Sequence, residues 1–183
     1  MHGGLKVNEI KKILIKESDI KRKVKEVADT VTADYAGEKL LAVCVLRGAS
    51  IFFADLVREI NLDLELDFIS ASSYGSGTSS SGEVKMIKDL SEPIAGKNVL
   101  IVEDIVDTGI TLSYLKKIFA TRNPKSLRIC TLLDKPSRRK TELVPEYRCF
   151  EIPNEFVVGY GLDYNERFRA LKDVCVINED AVK

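Results

Sequence analysis

Val99-Leu100-Ile101-Val102-Glu103-Asp104-Ile105-Val106-Asp107-Thr108-Gly109-Ile110-Thr111 is the stretch on which the fold turns. Its first four residues are apolar without a break, the mark of a strand covered on both faces. Acid follows at once, as Glu103, Asp104 and then Asp107. A small polar turn comes next, Thr108 to Thr111, and Leu112, Leu115, Ile118 and Phe119 then recur at helical spacing. Strand, carboxylates, turn and helix follow in the order an α/β protein uses to hold a phosphorylated sugar and a metal. N–H groups at a helix start face outward and the helix dipole favours an anion there. Gly109 lets a phosphate approach closely, and the threonine hydroxyls add donors. The pattern G-x-x-x-x-G-K-[ST] is absent, so the turn is no Walker A loop. Taken alone, it also reads as an ordinary helix start capped by Asp107 or Thr108. The neighbouring carboxylates Glu103 and Asp104 repel each other unless they are solvated or meet a diol or a divalent cation.

Outward from this stretch, strands and helices alternate. Glu17 to Tyr35 carries Ile20, Val24, Val27, Ala28 and Val31 on one helical face, with Ser18 as the expected cap. Lys21-Arg22-Lys23 and Lys25 form its solvated side. Leu40 to Leu46 reads as a second buried strand, broken by Arg47-Gly48-Ala49-Ser50 and followed by a helix over Ile51 to Ile60. Leu62 to Ser70 alternates apolar and acidic residues, as a half-exposed strand does. Ser72 to Gly82 is rich in serine and glycine and is read as a mobile surface loop, not a linker between domains. Val84 to Ile87, Leu127 to Leu133, Phe156 to Tyr160 and Val174 to Ile177 are further strand candidates. The alternation predicts an α/β fold, a mainly parallel sheet with helices on both sides, in a single domain spanning 1–183. Ligands in such folds bind beyond the carboxyl ends of the strands. Those ends are Arg47-Gly48, Glu103 to Thr111 and Asp134-Lys135.

Composition narrows the chemistry. The 183 residues are 45% hydrophobic and 31% charged, enough for one domain with a core. Twenty-eight basic residues balance twenty-eight acidic ones, which disfavours general nucleic-acid binding. No apolar run is long enough for a bilayer, and no signal peptide opens the chain. Met1-His2-Gly3-Gly4 has the look of an expression remnant and is left out of fold reasoning. His2 is the one histidine. A Ser-His or Cys-His pair and a histidine-ligated metal are therefore excluded. Acid–base work falls to Asp, Glu, Lys or Tyr, and any metal is expected to be hard and oxygen-bound. Cys44, Cys130, Cys149 and Cys175 form no C-x-x-C pair and read as buried, reduced thiols of a cytoplasmic protein.

Val99 to Thr111 resembles the signature of the type I phosphoribosyltransferases, which bind phosphoribosyl pyrophosphate (PRPP). Leu46-Arg47-Gly48 sits where that family has its pyrophosphate loop. Ser72-Ser73-Tyr74-Gly75 matches the flexible loop of the 6-oxopurine branch, and Phe150 to Arg169 is similar to the same branch. The resemblance implies a twisted, mainly parallel sheet with a small hood from the N- and C-terminal segments. It implies transfer of 5-phosphoribosyl from PRPP to hypoxanthine or guanine, giving IMP or GMP and pyrophosphate, with Mg²⁺ as cofactor. Glu103 and Asp104 are implied to hold the ribose hydroxyls and organise the metal, with Asp163 as a further metal contact. Asp107, Thr108, Gly109, Ile110 and Thr111 are implied to grip the 5′-phosphate, with Asp107 also the catalytic base. Arg47, Gly48 and Arg169 are implied for pyrophosphate, with arginine at 47 where lysine is common. Lys135, Phe156, Val157 and Asp163 are implied for the purine, Lys135 donating to its 6-oxygen. Ser73 and Tyr74 are implied to belong to a lid over about 72–86. The Leu46–Arg47 peptide can be cis in the family, and a homodimer or homotetramer is expected. A phospho-acceptor receiver domain also sets aspartates at strand ends, but it leaves the Thr108–Thr111 turn and Phe150 to Arg169 unexplained.

Overall fold

A computed structural model describes residues 9–73 and 84–181, with Ser72 and Ser73 described by their backbone alone. Tyr74 and most of the expected lid lie outside the described residues. The elements are β1 (Ile10–Ile15), α1 (Glu17–Asp34), β2 (Leu40–Leu46), α2 (Ser50–Glu59), β3 (Leu64–Ser73), β4 (Val84–Lys88), β5 (Asn98–Val106), α3 (Ile110–Ala120), β6 (Ser126–Asp134), β7 (Tyr147–Glu151), β8 (Val157–Val158) and β9 (Val174–Ile177).

Six strands form the main sheet in the order β4-β3-β2-β5-β6-β7. All its neighbours run parallel except the β3–β4 pair at one edge. The unbroken apolar runs have the cause the sequence suggested. Strand side chains point alternately to opposite faces. In β2 and β5, Leu40, Ala42, Cys44, Leu100 and Val102 meet α1 and α2 on one face. Leu41, Val43, Val45, Val99 and Ile101 meet Leu112, Leu115 and Phe119 of α3 on the other. Both faces are core, so neither residue parity can be polar. The terminal segments build a separate antiparallel sheet, β1-β9-β8.

Several boundaries differ from the sequence reading. β5 does not stop at Val102; Glu103, Asp104 and Asp107 flank and occupy its carboxyl end, because pairing with β6 continues to Val106. α3 is not capped by Asp107 or Thr108: Gly109, at φ 79°, occupies the cap position. Thr108 Oγ1 does accept a hydrogen bond from the Ile110 N–H at 3.4 Å. Ser18 does not cap α1. The Glu17 N–H donates instead to Asp173 Oδ1 at 2.7 Å, a carboxylate from the segment before β9. A contact 156 residues away in sequence leaves no local pattern to read. Val84 to Met86 belong to β4, so the strand pair takes up the far end of the stretch expected as lid.

Candidate active site

The sheet order reverses between β2 and β5. β3 follows β2 on one side, while β5 and β6 build outward on the other. Helices leaving the two strands diverge to opposite faces, and a cleft opens at their carboxyl ends. It has a volume of about 240 Å³, and its lining includes Leu46, Gly48, Glu103, Asp104, Asp107 and the turn residues Thr108, Gly109 and Thr111. Ile110 opens α3 beside them.

Glu103 is 8% exposed. Burial, and next the Asp104 charge, push its carboxyl well above the ordinary range. Burial also raises Asp104, against the opposing pull of hydrogen bonding to Glu103 and of the Arg169 charge. Backbone N–H groups of Asp104 and Ile105 donate to Glu103 and to Asp104 at 3.1 and 2.7 Å, orienting both carboxylates. The pair is costly to ionise unless positive charge comes to it. Among the described residues no three His, Cys, Asp or Glu side chains converge as a metal site. Glu103, Asp104 and Asp163 are therefore no closed protein cage. The oxygen donors present suit Mg²⁺, which commonly takes one or two carboxylates and leaves its other positions to water and substrate phosphates.

The wall opposite the diacid is the turn after β2. The Leu46–Arg47 peptide is cis. A Cβ on Gly48 would lie 1.6 Å from Asp104 Oδ2, so only glycine lets this turn close against the acid. Gly161, at φ 103°, presses from behind; a Cβ there would stand 2.1 Å from the Gly48 carbonyl oxygen. Arg169 reaches into the same corner. It donates to the Gly161 carbonyl at 2.7 Å and pairs with Asp163 at 2.9 Å. Arg47 extends outward and pairs with Glu166.

The residues expected to meet the purine do not line the cleft itself; they stand beside it. The Lys135 N–H donates to the Val106 carbonyl at 2.9 Å, which locks the residue after β6 to the end of β5. Lys135 is 7% exposed, and its ammonium donates to the Glu155 carbonyl at 2.7 Å. Burial lowers its pKa, with the Asp107 charge opposing and the Arg138 charge adding. Phe156 is 44% exposed and meets Tyr164 edge-on at 5.6 Å. The Val157 side chain is buried in the core, so that residue presents only backbone to a ligand. Lys135 and Phe156 thus adjoin through the Glu155 carbonyl.

Three contacts at the site were not legible beforehand. Arg138 Nε donates to Asp107 Oδ1 at 3.1 Å. Glu166 pairs with both Arg47 and Arg169. Arg139 pairs with Asp134, which is almost wholly buried, and packs beneath Gly109. The only available signal was their position three or four residues from assigned groups.

The fold and the site define a phosphoribosyltransferase. A model of the phosphoribosyl transferase domain matches residues 7–165, and the chain belongs to that family. Its relatives within the family include the hypoxanthine-guanine phosphoribosyltransferase of Bacillus subtilis, 51% identical over 93% of this chain and 94% of the relative. The enzyme of that name from Streptococcus thermophilus is 49% identical over 94% and 96%. A crystal structure of a hypoxanthine phosphoribosyltransferase from Staphylococcus aureus superposes with a TM-score of 0.94 at 42% identity, covering 100% of both chains.

Proposed function

We propose that this chain transfers the 5-phosphoribosyl group of PRPP to hypoxanthine or guanine, yielding IMP or GMP and pyrophosphate. The observation that carries the reading is the cleft at the β2–β5 reversal, with the diacid and the Asp107–Thr111 turn at one strand end and the Gly48 turn facing them. The likeness to hypoxanthine-guanine enzymes supports the acceptor.

The N–H groups opening α3 and the hydroxyls of Thr108 and Thr111 hold the 5′-phosphate. Glu103 and Asp104 take the ribose hydroxyls. Mg²⁺, held by this pair, would supply positive charge for the departing pyrophosphate, with Asp163 as a separate metal contact and not a third ligand to the same ion. Arg47, Arg169 and the Gly48 backbone receive the negative charge that grows on that leaving group. Lys135 donates to the purine 6-oxygen, a donor's position that rejects the amino group of adenine. Phe156 offers a ring face to the base, and backbone near Val157 and Asp163 meets a guanine amino group. Asp107 accepts the imidazole proton of the purine as its other nitrogen bonds to the anomeric carbon. The four free, buried cysteines support a reducing, cytoplasmic setting. A homodimer or homotetramer is the proposed assembly. No helix among the described residues is long and apolar enough to cross a membrane.

Steady-state assays with PRPP and hypoxanthine, guanine, xanthine or adenine test the reading. Product is expected from hypoxanthine and guanine and not from adenine; no nucleotide from any 6-oxopurine removes the proposal. Asp107→Asn is expected to lower kcat by about 10²-fold or more, the scale of general-base loss, with a much smaller change in the KM for PRPP. Equal turnover would remove the base role.

A further inference from the structure

Glu166 stands between the two cations assigned to pyrophosphate. One carboxylate oxygen pairs with Arg47, and the other lies 3.5 Å from Arg169. Arg47 extends from the end of β2 and Arg169 from the segment before β9, so the two come from distant parts of the chain. The carboxylate is aimed as well as placed. The Glu166 N–H donates to Asp163 Oδ2 at 2.9 Å. Asn165 and Glu166 both hold left-handed backbone, at φ 49° and 63°. Non-glycine residues adopt that region rarely and at a conformational cost, which suits a segment built to present one side chain in one direction. Arg169 is fixed on its other side by the Gly161 carbonyl and Asp163. Arg47 and Glu166 are both more than half exposed, so the contact is reachable by solvent and by a ligand.

We propose that Glu166 is a built-in anionic placeholder for pyrophosphate, pairing with Arg47 and Arg169 while the subsite is empty and competing with the leaving group for them when it is full. The inference rests on the assignment of Arg47 and Arg169 to pyrophosphate made above. A carboxylate presents two oxygens to two guanidinium forks, as a phosphate does, but with less charge. PRPP enters by displacing it. After the glycosidic bond forms, its return to the arginines promotes departure of pyrophosphate. Glu166 therefore lowers the affinity for both PRPP and pyrophosphate and speeds product release. Because Arg47 and Glu166 are exposed and the Arg169 contact is long, their competition is modest and weakens with added salt.

Calorimetric titration of inorganic pyrophosphate into the full chain in Mg²⁺ buffer tests this directly. Glu166→Gln is expected to bind pyrophosphate about threefold to tenfold more tightly than the parent, the range that two ion pairs to one exposed carboxylate allow. The gain shrinks in high salt, and the KM for PRPP falls by a similar factor. Stopped-flow release of pyrophosphate slows in parallel. Glu166→Ser, whose side chain reaches neither arginine, gives the same direction, and thermal melts establish that both variants are folded. Arg47→Ala and Arg169→Ala are expected to bind pyrophosphate more weakly. Unchanged or weaker binding in both Glu166 variants, with the arginine variants weakened, overturns the placeholder role and leaves the pyrophosphate assignment standing. Unchanged binding in the arginine variants overturns the assignment and the placeholder with it.

Discussion

Lys135 shows how one side chain's surroundings set its chemistry. Burial makes its charge harder to keep, and the Glu155 carbonyl fixes the direction in which it donates. A lysine lowered in this way loses its proton at a pH below the ordinary lysine range. The KM for hypoxanthine is therefore expected to rise on the alkaline side earlier than an ordinary lysine dictates. Lys135→Arg keeps its charge throughout that range and is expected to lack that limb, whatever its affinity at neutral pH. Identical alkaline limbs in the two proteins would mean that the purine, not the lysine, is titrating. The identity of Lys135 was legible from its neighbours in sequence. Its partner was not, because a backbone carbonyl twenty positions on carries no residue-type signal.

At the scale of elements, Asp67 ties the antiparallel edge of the main sheet together. It lies in β3 and is 8% exposed. Burial pushes its carboxyl up, but donors outweigh that and hold it below the usual carboxylate range. Ser91 and Phe68 N–H groups each donate at 2.7 Å, and Ser91 Oγ at 3.1 Å. Because the unfolded chain takes up this proton at higher pH than the folded one, the stabilisation is complete above the ordinary aspartate range. It is lost as pH falls through the lower, folded value. Asp67→Ala is expected to cost about 1–3 kcal/mol at neutral pH by stranding those donors. A fall in Tm of about 2–4 °C per kcal/mol follows for a chain of this size. The loss narrows as the melts are repeated at acid pH. An acid-independent difference would assign the cost to packing alone. Alternation over Leu62 to Ser70 did signal a strand, and Leu62 and Leu64 do pack against the core, but from Leu66 onward the inward side is the opposite one. Leu66 and Phe68 are exposed at 49% and 39%, while Asp67 and Ile69 are buried. An acid with enough backbone donors can occupy the inner face, and composition alone does not reveal that. β1 and β7, which have few neighbours of their own in sequence to mark them, also became clear only through pairing with β9 and β6.

The whole molecule divides its labour between the two sheets. The parallel sheet was readable because both of its faces are core, which forces an unbroken apolar run in β2 and over Val99 to Val102 of β5, and a mostly apolar one in β6. The small β1-β9-β8 sheet joins residues from the two ends of the chain, and its closure rests on long-range contacts such as Asp173 on the start of α1. All four cysteines are buried and free. Burial raises every one of their thiols, Cys44 and Cys149 to about 12. A thiol reagent such as DTNB is expected to titrate fewer than one group per chain under native conditions and all four in denaturant. Rapid labelling of the folded protein would show that one of the layers opens readily.

The stacked contact of Gly161 on Gly48 and of Gly48 on Asp104 limits how this enzyme can be redesigned. A methyl group at either glycine enters space already taken by a carbonyl or a carboxylate. The floor of the proposed pyrophosphate subsite is consequently closed to side-chain variation. Altered selectivity for the leaving group has to be sought at its rim, among Arg47, Glu166 and Arg169, where side chains are free to change without a collision. A library randomised at those three positions should retain folded members in quantity, whereas one randomised at the two glycines should return little but the parent residues.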